Sequence, residues 1–334
     1  MTPGFLSATT EDGLSLPVID VTNPAFAVTA TDAELATMCD QFVLESRERQ
    51  EIPAPVRDAL QRSMLGRGLI AASGTFLTGM DTYLLKLGPG NLGAEASPID
   101  RRIAASFPAL MTRVRLQDMA RLLADGLSLT AAANPRRPFC LVNIGGGPAG
   151  DSWNALIHLH AEHSNLLVGQ EIGITVLDVD DHGPAFGVRA LQTLRAPGAP
   201  LSGLEIGFRH FRYQWSQVDG LREALAGRHA ADAVCAVSSE GALFEYGSDT
   251  EIAANLETLH EGTAPDAILV GSVTRDGEAM RALQSADRVA TRPRTLEAFR
   301  SLAEQAGWSV QHVFERPFSY NLRLVKHRRV ARWT

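Results

Sequence analysis

Residues Phe139–Ser152 read FCLVNIGGGPAGDS, and the fold turns on them. Phe139-Cys140-Leu141-Val142 is a short apolar run of the kind that forms a strand buried on both faces. Asn143-Ile144-Gly145-Gly146-Gly147-Pro148-Ala149-Gly150 then breaks the strand with four glycines and a proline. Asp151 and Ser152 supply capping side chains, and Trp153–Ile157 read as the first turns of a helix. Strand, glycine turn and helix together are the shape of a nucleotide-type cofactor site. Glycine lets backbone and ligand approach closely, and a helix start directs free N–H groups at polar ligand atoms.

Composition narrows the class. The chain has 334 residues, 45% of them apolar, enough for a sizeable core, and 21% charged, which argues against disorder. A formal charge of −7 gives no footprint for nucleic acid. The basic cluster Lys326-His327-Arg328-Arg329 reads as a solvated tail. Cys39, Cys140 and Cys235 include no C-x-x-C pair, and the last two sit in apolar runs as small buried thiols. No apolar run approaches the ~18 residues of a membrane span. The first residues, MTPGFLSATTEDG, lack the basic start and apolar core of a secretory signal. A cytoplasmic protein with no membrane partner is expected.

Working outward, residues 1–30 read as an extended arm lying on the body or on a partner subunit. Thr31-Asp32-Ala33-Glu34 is a capping box, followed by Leu35, Met38, Cys39, Phe42 and Val43 on one helical face. Pro53 and Pro55 end that region. Further helices are expected over Val56–Met64, Thr75–Leu87 and from Ser97-Pro98 to about Ala133, the last bent at Pro108. Strands begin at Phe139. Ile172–Val179, Leu204–Phe211, Ala233–Ser238 and Ala267–Gly271 follow, alternating with helical stretches, which implies a parallel sheet. Trp308–Phe314 and Ser319–Lys326 are separated only by Glu315-Arg316-Pro317-Phe318, a link that permits only an antiparallel hairpin.

The glycine pattern fits the dinucleotide G-x-G-x-x-G motif. NIGGGPAGDS also resembles the D-x-G-x-G-x-G turn of the class I S-adenosylmethionine (SAM) methyltransferases. Gly145 and Gly147 match the first two glycines, Ala149 stands at the third, and Asn143 stands where that family carries an acid. The resemblance covers Phe139–Lys326. It rests also on the acid after the second strand, the strand count and the segment LEAFRSLAEQAGWSVQHV before the last hairpin. It implies an α/β, Rossmann-like seven-stranded sheet, mostly parallel with an antiparallel last strand, preceded by an α-helical N-terminal domain. The implied organisation is an arm (1–30), a helical lid, substrate or dimerisation domain (31–137) and a SAM-binding domain (138–334).

The resemblance further implies a methyl transfer by direct displacement to an O, N or C nucleophile of a small molecule, leaving S-adenosylhomocysteine. Gly145, Gly146 and Gly147 would contact the cofactor through backbone, and bulk at Gly147 should be intolerable. Asn143, Asp151 and Ser152 lie toward the methionine end. Asp178, with Val179 beside it, matches the ribose acid, although Asp180 is two residues away and the assignment between the two acids stays open. Tyr213 and Gln214 border the adenine. Ser238 and Glu240 face the sulfonium and the acceptor, with Glu240 the first candidate for a general base and His210 and Tyr246 the next. Tyr83 and Lys86, three apart, could reach over the cofactor from the helical lid. A helical domain with an arm suggests a homodimer.

Two other readings remain open: an NAD(P)-dependent oxidoreductase and a non-catalytic SAM-fold partner protein. No metal site is expected. His158 and His160 of the HLHAEH run point to different sides of a helix. Asp178-x-Asp180-Asp181 is too short for a calcium loop, and no G-x-S-x-G elbow occurs.

Overall fold

The computed structural model describes residues 5–48, 54–227, 230–287 and 290–327. Pro53, Arg328 and Arg329 lie outside the described residues. Two short strands, β1 (Ser7–Thr9) and β2 (Ser15–Pro17), come first. Helices α1 (Asp32–Arg47), α2 (Ala54–Arg62), α3 (Met64–Ala71), α4 (Gly79–Leu87), α5 (Pro98–Ala104) and α6 (Phe107–Ala133) follow. Then come β3 (Phe139–Ile144), α7 (Gly150–His163), β4 (Ile172–Asp178), α8 (His182–Leu194), β5 (Ile206–Arg212) and α9 (Asp219–Ala226). The chain continues through β6 (Val234–Ser239), α10 (Leu243–Tyr246), α11 (Asp249–Gly262), β7 (Ile268–Thr274) and α12 (Glu278–Asp287). It closes with α13 (Leu296–Gln305), β8 (Trp308–Glu315) and β9 (Ser319–Lys326).

Local chemistry sets the helix starts. Thr31 accepts from the Glu34 amide while the Glu34 carboxylate accepts from Thr31, as the capping box requires. Thr78 with Asp81 and Ser97 with Asp100 do the same for α4 and α5. The helix expected from Thr75 therefore begins only at Gly79. The long stretch expected to bend at Pro108 is instead two helices, because Ser106 caps a new one and the proline sits in its first turn. The capping role expected of Asp151 and Ser152 is not found. The cap of α7 is Ala149 in the left-handed region, without a side-chain cap, and Asp151 lies inside the first turn.

Among the described residues one sheet holds seven strands in the order β5-β4-β3-β6-β7-β9-β8. The strands from β5 to β7 are parallel, and β9 enters antiparallel between β7 and β8. This is a Rossmann-like α/β fold. Residues of β3 alternate between two cores. Phe139 and Leu141 join the side chains of α6, α7 and α8, whereas Cys140, Val142 and Ile144 join those of α9, α11 and α13. Strand order reverses between β3 and β6, so their carboxyl ends open the crevice where such sheets bind ligands.

The N-terminal arm lies on its own body, and it contains the β1–β2 hairpin, so strands do not begin only at Phe139. Trp153 Nε1 donates to the Ile19 carbonyl at 2.8 Å, and the Val21 amide donates to Asn154 Oδ1 at 2.8 Å. Helix α6 packs beside α7, and its Met119, Leu123 and Leu127 share a core with β3 and β4. Side chains on both sides of the expected 137/138 boundary thus share one core. Asp118 of α6 accepts from Arg316 and Asn321, tying the last hairpin to the same helix. The long spacing from Gly145 to Asp178 is filled by α7, a 3-10 turn at Ser164–Leu166 and the loop that follows. Among the described residues, no helix is long and apolar enough to cross a membrane.

Candidate active site

The glycine turn is held from β4. The Gly145 amide donates to the Leu177 carbonyl at 2.7 Å, and the Gly147 amide donates to Asp178 Oδ2 at 2.8 Å. Asp178 Oδ1 accepts from the Asp180 amide at 3.0 Å. Burial raises the Asp178 pKa, and these two amides oppose the rise. Gly145, Gly147 and Ala149 all have positive φ (65°, 51° and 65°), so the turn winds through a left-handed step at every second residue. A β-carbon on Gly146 would run into the Asn143 carboxamide.

Several expected cofactor residues form the floor under this turn rather than its exposed wall. Asn143 Nδ2 donates to Asp151 Oδ1, which also accepts from the Ser152 amide at 2.7 Å. Asn143 Oδ1 and Asp151 Oδ2 are buried with no hydrogen-bond partner among the described residues. Burial, then the nearby Glu240 charge, pushes the Asp151 pKa up to about 6. Asn143, Asp151, Ser152 and Ser238 are all essentially buried, and none of them, nor Gly147, borders the cleft above.

That cleft has a volume of about 450 Å³, within the ~300–1,000 Å³ usual for small-molecule sites. Gly145, Gly146, Asp178, Val179, Tyr213, Gln214, Glu240 and Tyr246 line it from the sheet side, and Tyr83 and Lys86 from α4. Tyr213 turns its hydroxyl away to Asn255, so only its ring faces the cleft. Phe76 and Trp215 also border the opening, and the sequence reading singled out Phe76 in no role.

A buried charge network closes the far wall. Glu240, just past β6, pairs with Lys86 of α4 and with Arg115 of α6, the latter at 2.7 Å. Arg115 also pairs with Glu245 at 3.0 Å, and the Ser272 hydroxyl donates to Glu245 at 2.7 Å. Burial alone would raise the Glu240 pKa, but the Lys86 and Arg115 charges outweigh it and hold the carboxyl below its ordinary range. Both oxygens of Glu240 are engaged, so the expected general base is instead a fixed anion. Arg115 was not foreseen, because it reaches Glu240 across 125 residues of sequence. The one local signal was a charged residue between Val114 and Leu116 on an apolar helix face.

The other expected reactive groups are corrected as well. His210 sits on the outermost parallel strand with Nε2 3.0 Å from the Asp178 carbonyl and Nδ1 3.5 Å from Asp181, away from the cleft. Tyr83 cannot reach over a cofactor with its hydroxyl, which donates to the Pro17 carbonyl at 2.6 Å and accepts from the Ile19 amide at 3.0 Å. Tyr246 does face the cleft, and its hydroxyl makes no hydrogen bond among the described residues. Burial, then the Glu245 charge, pushes its pKa up to about 12, so the phenol is a donor and not a base near neutrality. His160 contacts the Pro200 carbonyl at 2.8 Å, while His158 lies 3.8 Å from Glu162, so the two point apart.

No family model matches the sequence, and no curated protein matches it. Solved structures do match. A possible exported protein from Bordetella parapertussis is 18% identical, with a TM-score of 0.56 over 91% of this chain and 99% of that one. The magnesium protoporphyrin IX methyltransferase ChlM from Synechocystis PCC 6803 with bound S-adenosylhomocysteine is 15% identical, with a TM-score of 0.45 over 74% and 94%. LepI in complex with SAM is 16% identical, with a TM-score of 0.38 over 60% of this chain, which spans 46% of LepI. The first likeness shows a shared fold, and the other two are too distant to carry an argument.

Proposed function

We propose that the protein is a SAM-dependent methyltransferase that acts on a small-molecule acceptor by direct displacement at an O, N or C nucleophile. The observation that carries this is the charge of the cleft. Asp178, Asp180 and Glu240 face it, and its one lining cation, Lys86, is already paired with Glu240. Asp151, buried beneath the glycine turn in the first turn of α7, adds a further carboxylate close below the helix start where a dinucleotide would set its pyrophosphate. Such a site repels the anionic pyrophosphate of NAD(P) and suits a ligand carrying a sulfonium and an ammonium.

The residues present fit that group. Gly145 and Gly146 present backbone to the cleft, and a β-carbon at Gly145 would collide with Ala242, so packing there admits only glycine. Asp178 keeps lone pairs for two ribose hydroxyls, and Tyr213 and Gln214 border the adenine end. Bound SAM supplies an electrophilic methyl group, and an acceptor lone pair takes it while the C–S electrons stay on sulfur. Displacement of this kind needs chiefly in-line positioning, which suits a cleft whose buried carboxylate is fixed rather than free to take a proton. Residues 31–137 contribute α4 and the Phe76 loop, and in this reading they select the acceptor.

A homodimer is part of the reading: α2 buries none of its residues, and α3 exposes Leu69 and Ile70. The cytoplasm is the compartment we assign, in keeping with Cys140 and Cys235 as neighbouring hydrogen-bonded thiols.

Calorimetric titration with S-adenosylhomocysteine and, separately, NAD⁺ tests the cofactor. Binding of the first without the second is expected. Binding of NAD⁺ alone would replace this reading with an oxidoreductase. Turnover of any acceptor with SAM excludes a catalytically silent partner protein.

A further inference from the structure

Three aromatic rings meet at the cleft mouth. Phe76, in the link between α3 and α4, has its ring centroid 6.3 Å from Trp215 at 58° and 6.2 Å from Tyr246 at 67°. Phe76 is 44% exposed and lines the cleft. Tilted rings at such separations offer both faces and edges to a further ring. Trp215 also lies against the glycine turn, 3.5 Å from where a Gly145 β-carbon would stand. The rings therefore run from the cofactor turn out to the opening.

Several polar groups around them are spent, while the Gln214 and Ser216 side chains beside Trp215 make no hydrogen bond among the described residues. Thr78 bonds Asp81, Thr82 donates to the Thr78 carbonyl, and Tyr83 donates to Pro17. Lys86 and Arg115 are held by Glu240 and Glu245, so neither is left to neutralise an incoming carboxylate or phosphate. An anionic ligand would meet Asp178 and Asp180 with no counter-charge. Beside the rings, the Tyr246 hydroxyl remains unengaged.

We propose that this mouth seats a planar aromatic acceptor, neutral or cationic, against the ring cluster of Phe76, Trp215 and Tyr246, with the Tyr246 hydroxyl bonded to a polar substituent on the acceptor ring. The proposal rests on the methyltransferase reading above and narrows its acceptor class. Tyr246 is then a substrate-binding residue, and aromatic character, not merely apolar bulk, decides affinity.

The test is calorimetry on the full chain saturated with S-adenosylhomocysteine, titrated with 2-naphthol, 2-naphthylamine, 2-naphthoate and decahydro-2-naphthol. The first two should bind, with 2-naphthoate and the saturated alcohol at least tenfold weaker. Phe76→Leu, which keeps apolar bulk without a ring, should weaken 2-naphthol roughly fivefold. Tyr246→Phe should weaken 2-naphthol while leaving unsubstituted naphthalene unchanged, a split that a folding defect would not produce. Equal binding of 2-naphthoate or of the saturated alcohol would overturn the proposal, as would unchanged 2-naphthol affinity in both variants. If S-adenosylhomocysteine itself fails to bind, the cofactor reading falls and this one with it. If it binds and the naphthalene pattern fails, only the acceptor class is wrong.

Discussion

Gly79 and Gly147 touch backbone to backbone. A β-carbon on Gly79 would lie 2.5 Å from the Gly147 α-carbon, and one on Gly147 would lie 2.6 Å from that of Gly79. A β-carbon on Gly183 would lie 2.8 Å from the Gly147 α-carbon. The first turn of α4 is thereby seated directly on the glycine turn, and α4 becomes one wall of the cleft. Gly79→Ala should push α4 off the turn and weaken S-adenosylhomocysteine binding tenfold or more in a titration. Gly147→Ala carries the same clash plus a φ of 51°, which costs a further ~1–2 kcal/mol. It should melt below Gly79→Ala in a thermal scan. Wild-type binding by both variants would mean that the two backbones separate freely.

Asp178 and Asp180 differ in what they hold. Asp178 fixes the glycine turn through Gly147, whereas Asp180 accepts from the His182 and Gly183 amides at 3.3 and 3.2 Å at the start of α8. Asp178→Ala removes a carboxylate worth ~1.5–3 kcal/mol per charge-assisted bond, and should abolish measurable S-adenosylhomocysteine binding. Asp180→Ala should lower the melting temperature with a smaller loss of affinity. The reverse order would move the ribose acid to Asp180.

Glu240 sits between two buried cations. Glu240→Gln strands the charge of Lys86 in a poorly solvated wall and leaves Arg115 to Glu245 alone, and breaking a buried pair in this way costs about 3–5 kcal/mol. Denaturant unfolding should show that loss. Adding Lys86→Met to Glu240→Gln should restore part of it, because the stranded charge is gone. Equal stability of wild type and the single variant would mean that water already solvates the network.

Asp151 gives the fold a pH dependence. Its pKa is about 6 in the folded chain against an ordinary 3.8, so the native state binds the proton more tightly than the unfolded chain does. The contribution of Asp151 to stability is therefore full below pH ~4, declines as pH rises through ~6, and stays lower by roughly 3 kcal/mol above that. Asp151→Asn removes the ionisable group, and should melt higher than wild type at pH 7.5 and equally at pH 4. A constant difference across that range would assign the effect to packing instead.

Much of the fold was legible because its signals are local. The apolar runs of β3, β4, β6 and β7 are short and bounded by turn residues, and burial on both faces is what such runs require. The short link Glu315–Phe318 forced the last two strands to be antiparallel. The boundaries that slipped did so where two local signals competed. Ser106 capped a new helix where Pro108 alone suggested a bend, and Thr78 capped α4 three residues beyond the first candidate. The β1–β2 hairpin gave no periodic signal, because three-residue strands are too short to show one.

The sequence by itself determined the strand, glycine turn and helix, the alternation that makes a parallel sheet, and the acids that follow β4. Those are properties of neighbours along the chain, fixed by backbone sterics and by side-chain period. Only the tertiary structure decided what the reactive-looking residues do. Glu240 became a fixed anion because Arg115 and Lys86 arrive from two helices more than a hundred residues away. Tyr83 became a strap anchor because the N-terminal segment folds back over it. His210 left the site because it lies inside β5, short of the carboxyl end, with its ring held by the Asp178 carbonyl and Asp181. A side chain's chemistry depends on the charges and hydrogen-bond partners within a few ångströms of it, and long-range packing chooses those partners.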